Sequence, residues 1–136
     1  SRTQITRHDC VEGWSAIGKW TGVPLGDLLR QTMPLPNAKF AVFHCADVDD
    51  EGVSYYESMA LADCYHPQTI LAYELNGTPL DIPHGAPIRL RFEQQLGYKQ
   101  AKYVMMIELV ETLSGTAGGK GGYWEDDQGY EWYAGI

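Results

Sequence analysis

Apolar and polar side chains alternate every two residues along much of this sequence, which predicts β-strands. Residues 39–46 are the strongest example, and their two faces would carry Phe40, Val42 and His44 on one side and Ala41, Phe43 and Cys45 on the other. Further strands are predicted at residues 5–10, 53–57, 88–92 and 104–113. Residues 104–113 form the longest apolar run, which predicts a central strand, whereas residues 69–75 fit either a strand or a short helix.

The predicted helices are short. Pro24 precedes residues 25–30, where the leucine spacing favours a helix with proline near its first turn. Residues 59–65 fit a helical turn, residues 98–103 a helical turn or loop, and Asn76-Gly77 a hairpin turn. A length of 136 residues predicts one domain over residues 1–136. Strands outnumber the short helices, which predicts class α+β with a mixed β-sheet.

From Ser114 onward the sequence is rich in glycine, and residues 123–133 combine aromatic with acidic side chains. So many aromatic residues are untypical of a disordered arm. We therefore expect this tail to pack over the body of the domain or to line the rim of a cleft.

The formal net charge of −8 makes nucleic acid and anionic membranes poor partners. Basic residues are nevertheless concentrated locally, because Lys and Arg are absent between Lys39 and Arg89. The cluster that follows consists of Arg89, Arg91, Lys99 and Lys102. It could form a local anion site, to which a phosphate is well suited, or it could be a set of solvated charges, and the spacing leaves both open.

Cys10 lies among polar and ionisable residues, which is unusual for a buried thiol. A cysteine thiolate is a nucleophile and a ligand for soft metals, although a single cysteine is more often a small core residue. The chain has three cysteines, so they do not indicate a disulfide framework.

Residues 8–15 together with residues 20–25 resemble the metal-ligand segment of the sulfite oxidase family of molybdenum–molybdopterin oxidoreductases. They are most similar to the bacterial branch that includes methionine-sulfoxide-reducing enzymes. The resemblance implies that Cys10 is catalytic as the protein thiolate on molybdenum. It also implies that Glu12 lies near the metal, with a supporting or proton-transfer role.

Two later segments strengthen the resemblance. Residues 84–89 are similar to the family pattern His-Gly-x-Pro-x-Arg, which implies that His84 and Arg89 contact the pterin cofactor and its phosphate. Residues 97–103 resemble a second cofactor-binding stretch. There Lys102 would bind the phosphate end, and Tyr98 and Lys99 would line the same pocket.

The resemblance also implies properties of the whole protein. It implies a sulfite-oxidase-type fold that is partial here, because family members place further chain before the cysteine. It implies oxygen-atom transfer to or from a small-molecule substrate and a redox partner such as a cytochrome. It further implies contact with the upstream portion of the same polypeptide and a periplasmic location.

Three other interpretations remain. Zinc could use the pairs His8/Cys10, His44/Cys45 and Cys64/His66, although their spacing matches no zinc-finger pattern. The acidic residues 47–52 resemble a calcium loop but lack the spacing of an EF-hand. The chain could also be a cofactor-free fragment that serves as a non-catalytic structural or partner-binding module.

Overall fold

The computed structural model describes residues 2–9, 15–32, 34–92, 100–114, 119 and 121–128. The strands are β1 (Arg2–Asp9), β2 (Ser15–Pro24), β3 (Phe40–Val48), β4 (Ser54–Ala60), β5 (Ile70–Leu75), β6 (Thr78–Pro79), β7 (Arg89–Arg91) and β8 (Val104–Val110). The α-helices are α1 (Leu25–Thr32), α2 (Leu61–Cys64) and α3 (Tyr123–Gln128), and a 3₁₀ helix spans Ile82–His84.

These strands form two sheets. In the first, β1 pairs with β2 and β2 with β5, while β6 and β7 pair with successive stretches of β5. The second has the order β4-β3-β8. Neighbouring strands run antiparallel in each pairing that the described residues make. The predicted α+β class, with sheets and short helices, is confirmed.

The main core lies where the apolar faces of the strands and helices meet. It consists of Leu25, Leu29, Ala41, Phe43, Cys45, Met59, Cys64, Leu90, Phe92 and Ala101. A second, smaller cluster contains Trp20, Ile70, Ala72 and Leu80. Strand β7 separates the two, because Leu90 joins the main core while its neighbours Arg89 and Arg91 lie against Trp20.

Several element predictions are confirmed. Helix α1 begins directly after Pro24, and β3 sends Ala41, Phe43 and Cys45 into the main core as its alternation predicts. Residues 70–75 form a strand rather than a helix. Asn76 and Gly77 make the predicted tight turn between β5 and β6, both with positive φ.

Two element predictions need correction, and strand β2 was missed. Strand β8 stops at Val110 and lies at the edge of its sheet with Met105 74% exposed, so residues 104–113 are not a central strand. An apolar run favours β-structure but does not fix a strand's position in the sheet. Met59 and Ala60 extend β4 and leave α2 only four residues. Strand β2 was not predicted, because Gly18 and Gly22 interrupt its alternation.

The predicted packing of the tail is confirmed for its described part. Tyr123, at the start of α3, packs against Tyr55 and Tyr56, with ring centroids 5.7 and 6.4 Å away. Glu125 is 1% exposed. Residues 129–136 lie outside the described residues. Within the part that the structure describes, no helix is long and apolar enough to cross a membrane.

Candidate cofactor-binding site

The 3₁₀ helix presents His84 through an aspartate cap. Asp81 Oδ1 accepts the backbone N–H of His84 at 3.1 Å and lies 2.5 Å from His84 Nδ1. The hydrogen bond from His84 lowers the pKa of Asp81, so this carboxyl group is ionised at neutral pH. An ionised acceptor favours a proton on His84 Nδ1, which leaves Nε2 to meet a ligand.

Gly85 is the point at which the cationic side chains converge. Its φ is +104°, which favours glycine. A Cβ atom at this position would lie 3.0 Å from Cβ of Arg89 and 3.0 Å from both Cβ and Cγ of Lys102. The missing side chain therefore allows two basic residues, distant in sequence, to approach the same loop.

Arg89 is 5% exposed, and its guanidinium connects the two segments of the candidate site. One terminal nitrogen donates to the carbonyl of His84 and the other to the carbonyl of Gln100, both at 3.2 Å. Arg91 is 1% exposed. Solvated surface charge is therefore the wrong interpretation for these two members of the basic cluster.

Backbone hydrogen bonds dock the segment before β8 against β7. The N–H of Leu90 donates to the carbonyl of Ala101 at 2.7 Å, and Val104 donates to Ile88 at 3.0 Å. The side chain of Gln100 accepts from Phe92 N–H at 2.6 Å and donates to the carbonyl of the same residue. The residues around Lys102 are therefore held in a defined loop, not in the helical turn that was the other possibility.

Lys102 completes the basic group. Its Nζ donates to the carbonyl of Pro83 at 3.1 Å. Partial burial lowers the pKa of Lys102, and the nearby positive charge of Arg89 lowers it further, while Asp47 opposes the shift. Two like charges held together in a partly buried site are an arrangement that a bound anion stabilises. The donor set therefore fits the phosphate of a pterin cofactor.

Comparison with known proteins identifies the family. A sequence model of the family described as "Oxidoreductase molybdopterin binding domain" matches residues 1–117. The chain belongs to this family. The family predicted from its motifs is thereby confirmed.

Two relatives of this molybdopterin-binding domain are named as subunits of protein-methionine-sulfoxide reductases. A protein of Azospira oryzae, provisionally named protein-methionine-sulfoxide reductase subunit YedZ1, is 46% identical over 132 residues, covering 97% of this chain and 45% of the relative. The catalytic subunit MsrP of Xanthomonas axonopodis pv. citri is 38% identical, over 97% of this chain and 42% of the relative. The chain thus spans less than half the length of these curated relatives.

A solved structure shares the fold. The crystal structure of the sulfane dehydrogenase SoxCD from Paracoccus pantotrophus superposes with a TM-score of 0.67 at 22% identity. The match covers 85% of this chain and 34% of that chain. At this identity the likeness supports the sulfite-oxidase-type fold of the molybdopterin-binding domain.

The structure brings together three of the predicted site residues, His84, Arg89 and Lys102. The other four, Cys10, Glu12, Tyr98 and Lys99, lie outside the described residues. Their roles in the molybdopterin-binding domain stay predictions.

Three further residues belong to this candidate site and were not predicted from the sequence. Asp81 orients His84, Gln100 fixes the Lys102 loop, and Asp47 places a negative charge near Lys102. Only Asp81 had a usable signal, because aspartate is a preferred N-cap residue and Pro83 follows it in the first helical turn. Asp47 and Gln100 become neighbours of the site through tertiary contacts alone.

The described cysteines are core residues. Burial raises the pKa of both Cys45 and Cys64 to about 12, so neither thiol is a ready thiolate ligand. His44 instead lies 3.1 Å from Glu108, on the other face of β3 from Cys45. Among the described residues, no three His, Cys, Asp or Glu side chains converge to hold a metal.

Proposed function

We propose that this chain is the cofactor-binding part of a molybdopterin-dependent oxidoreductase that transfers an oxygen atom to or from small sulfoxide- or sulfite-type substrates. The convergence of Arg89 and Lys102 on Gly85, in a chain of the molybdopterin-binding family, is the observation that carries the proposal. The names of the relatives favour sulfoxides within this substrate class.

The described residues would bind the cofactor through complementary chemistry. Lys102 and Arg89 would neutralise its phosphate, and His84 Nε2 would meet the pterin, because Asp81 holds the other ring nitrogen. Tyr98 and Lys99 would line the same pocket, and Cys10 would be the protein thiolate on the metal. Glu12 would hold or move a proton beside it. The bound molybdenum–molybdopterin would supply two-electron redox chemistry.

We also propose the wider context of the enzyme. The small-molecule substrate would enter beside Cys10. Electrons would come from or pass to a redox partner such as a cytochrome, and the upstream portion of the same polypeptide would complete the site. The family relationship favours a periplasmic location.

The phosphate site can be tested by replacing Lys102 with alanine, both in this chain and in a longer protein that includes the upstream portion of the polypeptide. We expect released pterin, assayed by fluorescence, and molybdenum, measured by mass spectrometry, to fall, while the unfolding midpoint stays near that of the wild type. Lys39→Ala is the matched control, because Lys39 is exposed. Unchanged pterin content in Lys102→Ala would count against the proposal.

Replacing Cys10 with serine tests the metal thiolate. Serine offers a harder ligand atom than cysteine, and its hydroxyl is a much weaker acid than a thiol. We therefore expect loss of turnover, with the fold retained, in a protein that includes the upstream portion of the polypeptide. Circular dichroism and the unfolding midpoint check the fold. Full activity in the serine variant would overturn the assignment of Cys10. A wild type that is folded but empty of pterin and metal would favour the non-catalytic module instead.

A further inference from the structure

Trp20 lies against the arginines of the candidate site although it comes from a different strand. The indole belongs to β2 and is 4% exposed. The guanidinium carbon of Arg89 lies 4.8 Å from the centroid of its ring, and that of Arg91 lies 4.6 Å away. Both distances are within the range at which a cation is attracted to an aromatic face.

Small residues allow this contact across the intervening strand. Strand β5 lies between β2 and β7, and its Ala72 pairs with Gly22 on one side and Arg89 on the other. Ala72 belongs to the same buried cluster as Trp20, and its methyl group is small enough for the indole to contact the guanidinium groups on the next strand. At Gly22 the pairing of β2 shifts register, and a Cβ there would lie 2.2 Å from the carbonyl oxygen of Leu71.

The indole and the backbone together restrict the orientation of Arg89. Two terminal nitrogens of the guanidinium donate to the carbonyls of His84 and Gln100, and the guanidinium carbon lies over the ring of Trp20. A group held by two hydrogen bonds and by contact with a buried ring keeps one orientation. The cation–aromatic attraction is strong here because both partners are almost fully buried.

We infer that Trp20 is a positioning residue of the anion site, which holds the Arg89 guanidinium in the orientation that binds the cofactor's phosphate. This inference rests on the proposed function. The ring acts on the anion only through Arg89, so its contribution depends on the electron density of its face as well as on its volume.

Fluorinated tryptophans at position 20 test the inference, because each added ring fluorine weakens the attraction for a cation with little change in shape. The probe is inorganic phosphate, titrated calorimetrically into the full chain. We expect Kd to rise stepwise along the series by about threefold to about thirtyfold in total. A Kd that does not change along the series would overturn the inference.

Two controls separate positioning from packing. Leu80→Ala removes a buried side chain from the same apolar cluster and should lower the unfolding midpoint with little effect on phosphate Kd. In an Arg89→Gln background the site keeps Lys102 but position 89 carries no cation, so phosphate Kd should depend much less on the number of ring fluorines. If phosphate Kd still rises by the same factor with each added fluorine, the indole acts through Arg91, and the inference for Arg89 is overturned.

The outcomes also distinguish this inference from the proposed function. One outcome is that wild type binds phosphate, Lys102→Ala does not, and the phosphate Kd is the same for every fluorotryptophan variant. The anion site then stands, and only the role of Trp20 fails. If wild type binds no phosphate, the proposed anion site and the role of Trp20 both fail.

Discussion

At the scale of single residues, Gly85 is required for the geometry of the candidate site. Its positive φ turns the chain after the 3₁₀ helix, and its missing side chain leaves room for Arg89 and Lys102. Conformation and space are separate requirements, and both must be met before the two cations can lie close together.

Substitution of alanine at Gly85 should therefore cost more than the conformational strain alone. We expect about 3 kcal/mol of lost stability, from an unfavourable φ together with crowding against two side chains. Gly77→Ala is the matched control, since Gly77 has φ +83° but open space around it, and should lose about 1 kcal/mol. Urea unfolding measures both variants, and equal losses would contradict the argument from crowding.

At the scale of elements, the contact between β2 and β5 depends on one glycine. The pairing shifts register between Thr21 and Gly22, and a Cβ on Gly22 would lie 2.6 Å from the Cα of Ala72. The clashing atoms belong to the backbone of β5, so side-chain rotation does not relieve them. Because Trp20 reaches β7 across this contact, strand separation would also move the arginines.

Gly22→Ala is therefore expected to destabilise the domain by about 3 kcal/mol, at the upper end of the usual cost of overpacking. Gly18→Ala on the same strand is the comparison. Its Cβ would lie 3.0 Å from the terminal methyl group of Leu75 and 3.2 Å from Nε1 of Trp20, so side-chain shifts of a few tenths of an ångström relieve the crowding, and the loss of stability should be about 1 kcal/mol. The unfolding free energies of the two variants decide the point, and a tolerated Gly22→Ala would contradict it.

At the scale of the whole molecule, helix α3 is tied to the turn between β3 and β4. Asp49 Oδ1 accepts the N–H groups of Glu51 and Val53 at 2.9 Å each, and Oδ2 accepts the hydroxyl of Tyr123 at 2.5 Å. Residues 49–52 therefore form a turn in which Asp49 is engaged by protein donors, whereas Asp47 and Val48 end β3. These bonds, with that from Tyr123 first, lower the pKa of Asp49 below its ordinary value of 3.8.

The lowered pKa predicts the direction of a pH effect. A carboxyl group whose pKa is lower in the folded state stabilises the fold above its unfolded pKa, and this contribution is lost as the pH falls through the folded value. The difference in unfolding midpoint between wild type and Asp49→Asn should therefore be largest near neutral pH and shrink below pH 3.8.

Asp50→Asn, an exposed change in the same turn, serves as the control for the loss of one charge. Tyr123→Phe should reproduce part of the Asp49→Asn effect, since it removes the largest cause of the pKa shift. A difference between wild type and Asp49→Asn that does not vary with pH would contradict the assignment.

The local elements and the family could be predicted from neighbouring residues in the sequence. Alternation along residues 39–46, the proline before α1 and the Asn76-Gly77 turn depend on short-range sterics and on burial of one face, so they can be predicted from neighbouring residues. The motifs around Cys10, His84 and Lys102 are also continuous in sequence, which is why the family could be predicted from them.

How these elements and motifs meet became visible from the long-range contacts of the fold. The sequence did not predict that β8 lies at a sheet edge, that Arg89 and Arg91 are buried against Trp20, or that Asp47 lies near Lys102. Each depends on strands that pair across many residues, and the burial of a charge depends on partners that come from other strands. The sequence fixes the chemistry that each residue can offer, whereas long-range packing sets which residues can act together.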